Sequence, residues 1–150
     1  MSKFEQVIDS IDALNADDPN KDESPEAQGL TKEQLYSKRM SERLSIFCPQ
    51  ASEELKIAAH AQHVLRWTSA RSDYPAGKAG YYRWRTELGR MHARVATEEM
   101  AKVGYSETSQ DRVRTLLMKQ GIKQNQDVQI LEDVICLVFI EHYFLSLIHI

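Results

Sequence analysis

Apolar side chains in this chain recur at every third and fourth position, and nowhere do they alternate between hairpin turns as a half-buried strand requires. Phe4, Val7, Ile8, Ile11 and Leu14 share one helical face, and Asn15-Ala16-Asp17-Asp18-Pro19-Asn20 closes it with turn formers and a proline. Lys21 to Gly29 is polar and aperiodic, a loop. Thr31 with Gln34 forms a capping box that opens a helix to about Phe47, ended by Pro49. Ser52 caps a third, Glu53 to about Trp67, whose Ala58, Ala59 and Ala61 permit close approach of a neighbour.

Ser69 to Gly80 carries Pro75, Gly77 and Gly80 and reads as an ordered loop that buries Tyr74. The long helix after it aligns Tyr81, Trp84, Leu88, Met91, Val95 and Glu99 in one stripe and stops at Gly104. Another runs from about Thr108 to Lys119, and Asn125 caps the last, Gln126 to Phe144. That last helix is apolar nearly all round from Val134 to Ile140, which predicts the central, buried position. The pattern predicts an all-α fold, a compact single-domain bundle of about six helices over residues 1–144.

Nothing at the amino terminus has the basic-then-apolar build of a signal peptide, and no apolar run reaches the ~20 residues that span a bilayer. Cys48 and Cys136 have no short-range pairing and are expected to be small buried hydrophobes in a reducing cytoplasm. The final six residues, Leu145-Ser146-Leu147-Ile148-His149-Ile150, are what CTG TCT CTT ATA CAC ATC encodes, a transposon end used as a library adapter. The expectation is that 145–150 are translated adapter, that the natural chain continues past Phe144 with other residues, and that His149 belongs to no site.

The formal net charge of −3 hides an asymmetry. From Leu55 to Arg94 eight basic residues face only Asp73 and Glu87, a local charge of +6. A basic zone on an acidic protein suggests a small anionic ligand rather than a nucleic-acid track, and no RNP-type motif accompanies it. The same stretch holds both tryptophans and three of the five histidines. Arg66-Trp67, Arg71, Tyr74 and Trp84-Arg85 combine guanidinium groups, which grip phosphate or carboxylate with two donors, with aromatic faces on which a base or cation can lie. A lattice of arginines and aromatics that merely pins the Ser69–Gly80 loop would use the same residues.

His60 and His63 lie one helical turn apart, His92 shares a stripe with Glu99, and Glu132-Asp133 opens the apolar run of the last helix. Imidazole and carboxylate together suit zinc, iron or manganese, and such a metal activates water for attack on a phosphate ester. The competing reading satisfies each histidine within the core. There is no Gly-x-Ser-x-Gly elbow, and Cys136 sits in the most apolar run, so nucleophilic catalysis has little support.

As a string the chain resembles the family of domains of unknown function numbered 4202. The resemblance rests on Ile11-Asp12-Ala13-Leu14-Asn15 with Asp18-Pro19, Leu35-Tyr36-Ser37-Lys38-Arg39-Met40, Pro49-Gln50-Ala51-Ser52-Glu53 and Ala61-Gln62-His63 with Arg66-Trp67. It continues in Arg71 with Tyr74-Pro75, Gly80-Tyr81 with Trp84-Arg85, His92-Ala93, and Leu131-Glu132-Asp133-Val134 with Cys136-Leu137-Val138-Phe139. Ser69-Ala70 stands where the family has Ile-Pro, and His60 where it has arginine, which sets His60 aside as a ligand. The resemblance implies an all-helical fold, more helix after Phe144 and no established activity.

A more distant likeness is to the HD superfamily of metal-dependent phosphohydrolases, whose order of histidine, histidine-aspartate pair and later aspartate is echoed by His63, His92-Ala93 and Asp133. Ala93 replaces the aspartate of the pair, so Glu99 or Glu132 would have to complete the shell. The leading expectation is a metal-dependent phosphohydrolase for a small phosphate ester or nucleotide. In it His63, His92 and Asp133 hold a divalent metal, Glu132 or Glu99 acts as base, and Arg66, Trp67, Arg71, Tyr74, Trp84 and Arg85 hold the substrate. The alternative is a non-catalytic module that binds an anionic small molecule or partner with the same arginines.

Overall fold

The structure, a computed structural model, describes residues 1–121 and 124–144. Over these the chain forms six α-helices: α1 (Lys3–Asn15), α2 (Lys32–Phe47), α3 (Glu53–His60), α4 (Lys78–Lys102), α5 (Glu107–Leu117) and α6 (Gln126–Val138). No strand occurs among the described residues, only an isolated bridge between Lys21 and Thr31, so the fold is all-α as expected. The supposed adapter residues 145–150 lie outside the described residues.

The helices begin where short polar side chains can take up free backbone N–H groups. Thr31 Oγ1 accepts from Gln34 N while Gln34 Oε1 accepts from Thr31 N, and Ser2, Ser52, Ser106 and Asn125 cap α1, α3, α5 and α6. Each cap stabilises its helix by about 1 kcal/mol. Asp18, 2% exposed, adds a second anchor at the start of α2, its Oδ2 accepting from Glu33 N at 3.1 Å.

Two elements depart from the sequence reading. The central helix is α3, not α6: Leu55 and Ile57 to Ala59 are almost wholly buried, and α3 packs against α1, α2, α5 and α6. On α6 only Val128, Leu131, Val134 and Val138 are buried, while Cys136 is exposed, as are Phe139 and Ile140 in the π-helical turn that follows, at 41% and 61%. An all-round apolar sequence allows burial on every side, but α2, α3 and α5 cover α6 on one side only. Cys136 is therefore not the buried hydrophobe expected.

The second departure is that α3 stops at His60 rather than near Trp67. Asn15, fully buried at the end of α1, accepts the Leu65 N–H on its Oδ1 at 3.0 Å, and Ser37 Oγ donates to the His60 carbonyl at 2.8 Å. These bonds satisfy backbone groups that a continuing helix would have paired internally. The chain turns through residues 61–65, Leu65 adopts a left-handed conformation (φ 57°), and one short 3₁₀ turn follows at Arg66–Thr68. His60 and His63 are thereby separated.

The loop before α4 is held from both sides. Arg71 donates to the carbonyls of Tyr74, Pro75 and Gly77 at 3.3, 2.9 and 3.2 Å, and Trp84 Nε1 donates to Ser69 O at 3.1 Å. The Tyr74 hydroxyl bonds Glu87 on α4. Gly80 sits so close beneath the loop that a Cβ there would fall 1.8 Å from the Pro75 carbonyl oxygen.

Candidate functional site

The 61–65 turn, α4, α2 and the end of α5 enclose a cleft of about 420 Å³, and His63, His92, Arg66 and Arg85 all line it. Tyr36, Tyr81, Tyr82 and Lys119 also line it. His63 stacks on Tyr36 and places Nδ1 3.1 Å from Glu33 Oε1. His92 Nδ1 lies 2.9 Å from the Val64 carbonyl oxygen. Both oxygens only accept, so in each neutral imidazole Nδ1 carries the proton and Nε2 keeps its lone pair. Neither Nε2 has a protein partner among the described residues.

Burial keeps both rings neutral. It is the main cause of the lowered His63 pKa, opposed by the hydrogen bond and charge of Glu33 and reinforced by Arg66 and Arg85. His92 is pushed down to about 3, first by burial, then by neighbouring His63, with the Val64 bond opposing and Arg66 and Arg85 adding. The Tyr36 hydroxyl is raised, again chiefly by burial. Arg66 lies over Trp84, 5.4 Å from the ring centroid, and Arg85 is exposed. Among the described residues neither guanidinium is paired with a carboxylate, whereas Lys119 Nζ lies 3.0 Å from Glu132 Oε1.

The residues singled out from the sequence divide into two groups. His63, His92, Arg66 and Arg85 come together, with Trp84 beneath Arg66. Arg71 and Tyr74 are instead committed to the loop, and Trp67 is half-buried outside the cleft lining. Glu99 pairs with Lys102 at 3.0 Å, Asp133 accepts from Gln129 Nε2 at 2.9 Å, and neither lines the cleft. Glu132 approaches it only through Lys119.

No group of three or more His, Cys, Asp or Glu among the described residues is placed to hold a metal ion. Ala93 is 1% exposed in the core. Among the described residues the cleft lining offers two imidazoles and no carboxylate, and Glu33 meets the protonated Nδ1 edge of His63, so these residues do not complete an HD-type donor set. Glu33, Tyr36 and Lys119 escaped the sequence reading. Tyr36 carried a signal as part of the Leu35–Met40 stretch, whereas Glu33 read only as a first-turn helix residue.

A family model described as a domain of unknown function, DUF4202, matches residues 5–149. The chain belongs to the DUF4202 family. No curated protein and no solved structure matches it. Of the stretches that carry the DUF4202 resemblance, those containing Tyr36, His63 with Arg66, Trp84-Arg85 and His92 converge on the cleft. Among the described residues of this DUF4202 chain no helix is long and apolar enough to cross a membrane.

Proposed function

We propose that the cleft binds a small phosphate-bearing molecule, with Arg66 and Arg85 holding the phosphate and the Nε2 atoms of His63 and His92 accepting hydrogen bonds from ligand hydroxyl or amino groups. The observation that carries this is the pair of guanidinium groups that have no carboxylate partner among the described residues, beside two imidazoles held neutral. Unpaired cations on a concave wall favour an anion, and each charge-assisted bond to phosphate contributes about 1.5–3 kcal/mol. A cleft of about 420 Å³ suits a sugar phosphate or nucleotide. Tyr81 and Tyr82, 41% and 57% exposed, offer apolar faces to the rest of such a ligand. Two unpaired cysteines, one of them exposed, support the reducing cytoplasm as the place of work.

The test is calorimetric titration of the full chain with inorganic phosphate, glucose 6-phosphate and AMP, with and without EDTA. Expected is binding of at least one of them, insensitive to EDTA and abolished in the Arg66→Ala/Arg85→Ala double variant. If no phosphate compound binds, or the double variant binds as well as the parent, the proposal fails. Binding that EDTA removes would restore the metal-dependent reading.

A further inference from the structure

A second cavity, of about 530 Å³, lies between α1, the loop before α2, and α2, and His60 lines it together with Asp12 and Ser41. His60 Nε2 is 2.7 Å from Asp12 Oδ1, and Nδ1 is 2.7 Å from Ser41 Oγ. An ionised carboxylate only accepts, so Nε2 carries the proton, Nδ1 presents its lone pair, and the Ser41 hydroxyl donates to it. The imidazole is 5% exposed and fixed at both nitrogens. Hydroxyl, imidazole and carboxylate thus stand in the order that activates a serine nucleophile. We infer that Ser41, His60 and Asp12 form a serine-nucleophile site for carboxylic esters with a small apolar acyl group.

A buried histidine satisfied by two neighbours could show the same bonds, and the surroundings decide between the two. The trio lines an open cavity instead of being enclosed, and Phe4, Ile8 and Leu30 supply apolar wall for an acyl chain. Gln34, Lys38 and Ser41 lie on one face of α2 at the spacing i, i+4, i+7 and all border the cavity. Ser41 is inside a helix, so its own N–H is committed to the helical ladder and the charge of an oxyanion falls to side chains. Lys38, one turn before the nucleophile, is the cation among the residues that line the cavity and is assigned this role, for which it would leave its 4.0 Å ion pair with Glu42, another lining residue.

The chemistry closes without a further reagent. Ser41 Oγ bonds the carbonyl carbon as its proton passes to His60 Nδ1, and the carbonyl oxygen takes up the negative charge. The carbon–oxygen bond to the alcohol breaks, and the leaving oxygen takes the proton from Nδ1. Water then attacks acyl-Ser41, delivering one proton to His60 that returns to Ser41 Oγ as acid is released. Asp12 is a positioning residue that keeps the ring in this tautomer.

The decisive experiment treats the full chain with a fluorophosphonate probe, maps the label by peptide mass spectrometry, and follows p-nitrophenyl butyrate hydrolysis in parallel. Expected are probe on Ser41, none in Ser41→Ala, and hydrolysis lowered about 100-fold or more in that variant. Ser41→Ala removes one half-buried oxygen, and a melting curve matching the parent's is the control that its fold is kept. Asp12→Asn should lower kcat with KM unchanged. Absence of label on Ser41, or equal hydrolysis by Ser41→Ala, overturns the inference. It stands or falls independently of phosphate binding in the other cleft.

Discussion

The imidazole of His63 lies flat on the phenol ring of Tyr36, centroids 3.6 Å apart and planes 7° from parallel. Tyr36 shields one face of the ring while Glu33 holds its edge, so the two neighbours act oppositely on its protonation. Glu33→Gln removes the charge and hydrogen bond that raise the His63 pKa, and should lower it further. Tyr36→Ala admits water, relieves the burial that lowers it, and should move it up toward 6.5. Histidine NMR titration of the two variants checks both signs.

His92 makes the fold sensitive to acid. Its pKa is about 3 when folded and 6.5 when exposed, so between these values the unfolded chain binds a proton that the folded chain refuses. Its contribution is unpenalised above pH 6.5 and worsens on acidification toward 3. The loss approaches about 1.4 kcal/mol for each pH unit below the exposed value. His63, lowered in the same direction, adds to it. Urea unfolding at pH 7 and pH 5 should show the drop, and His92→Gln, which can still donate to the Val64 carbonyl, should show a shallower one.

Single substitutions of the two arginines should separate binding from stability. Arg85→Ala, at an exposed site, should weaken phosphate binding roughly 10- to 100-fold with the melting temperature nearly unchanged. Arg66→Ala should weaken binding similarly and also cost about 0.5–1 kcal/mol of stability through its lost stacking on Trp84. The Nε2 atoms accept hydrogen bonds only as neutral imidazoles, and the two arginines favour the dianionic phosphate, so binding should release protons near neutral pH and weaken as pH falls. Calorimetry in buffers of different ionisation enthalpy measures that release.

The starts of the helices were legible because a cap is a local event, decided by residues such as Thr31 and Gln34 three apart. The end of α3 was not, because Asn15, fifty positions away, takes the Leu65 N–H. Burial of α6 departs from its sequence pattern for a related reason: hydropathy says which faces can be buried, while the neighbours present decide which are. At the cleft, His63, Arg66, Arg85 and His92 were visible as unusual residue types crowded together. Glu33 and Tyr36 meet them only because the chain turns at 61–65, and Asp133 is drawn away by Gln129 one helical turn earlier.

Gly80 should tolerate no side chain. In Gly80→Ala the methyl group would collide with the Pro75 carbonyl, so the loop must lift from α4 and release the bonds of Arg71 and Trp84. A loss of more than about 2 kcal/mol is expected in denaturant unfolding. Arg71→Ala, which frees the loop without a clash, should cost about 1 kcal/mol in the same measurement.

The turn at 61–65 is fastened to α1 through the Leu65 N–H and to α4 through the Val64 carbonyl. A segment tied at adjacent residues to two helices has little conformational entropy left to surrender when a ligand arrives. The walls of the cleft are therefore set in advance. Ligand association should show a single phase whose rate follows ligand concentration linearly, without the plateau that a slow rearrangement would impose.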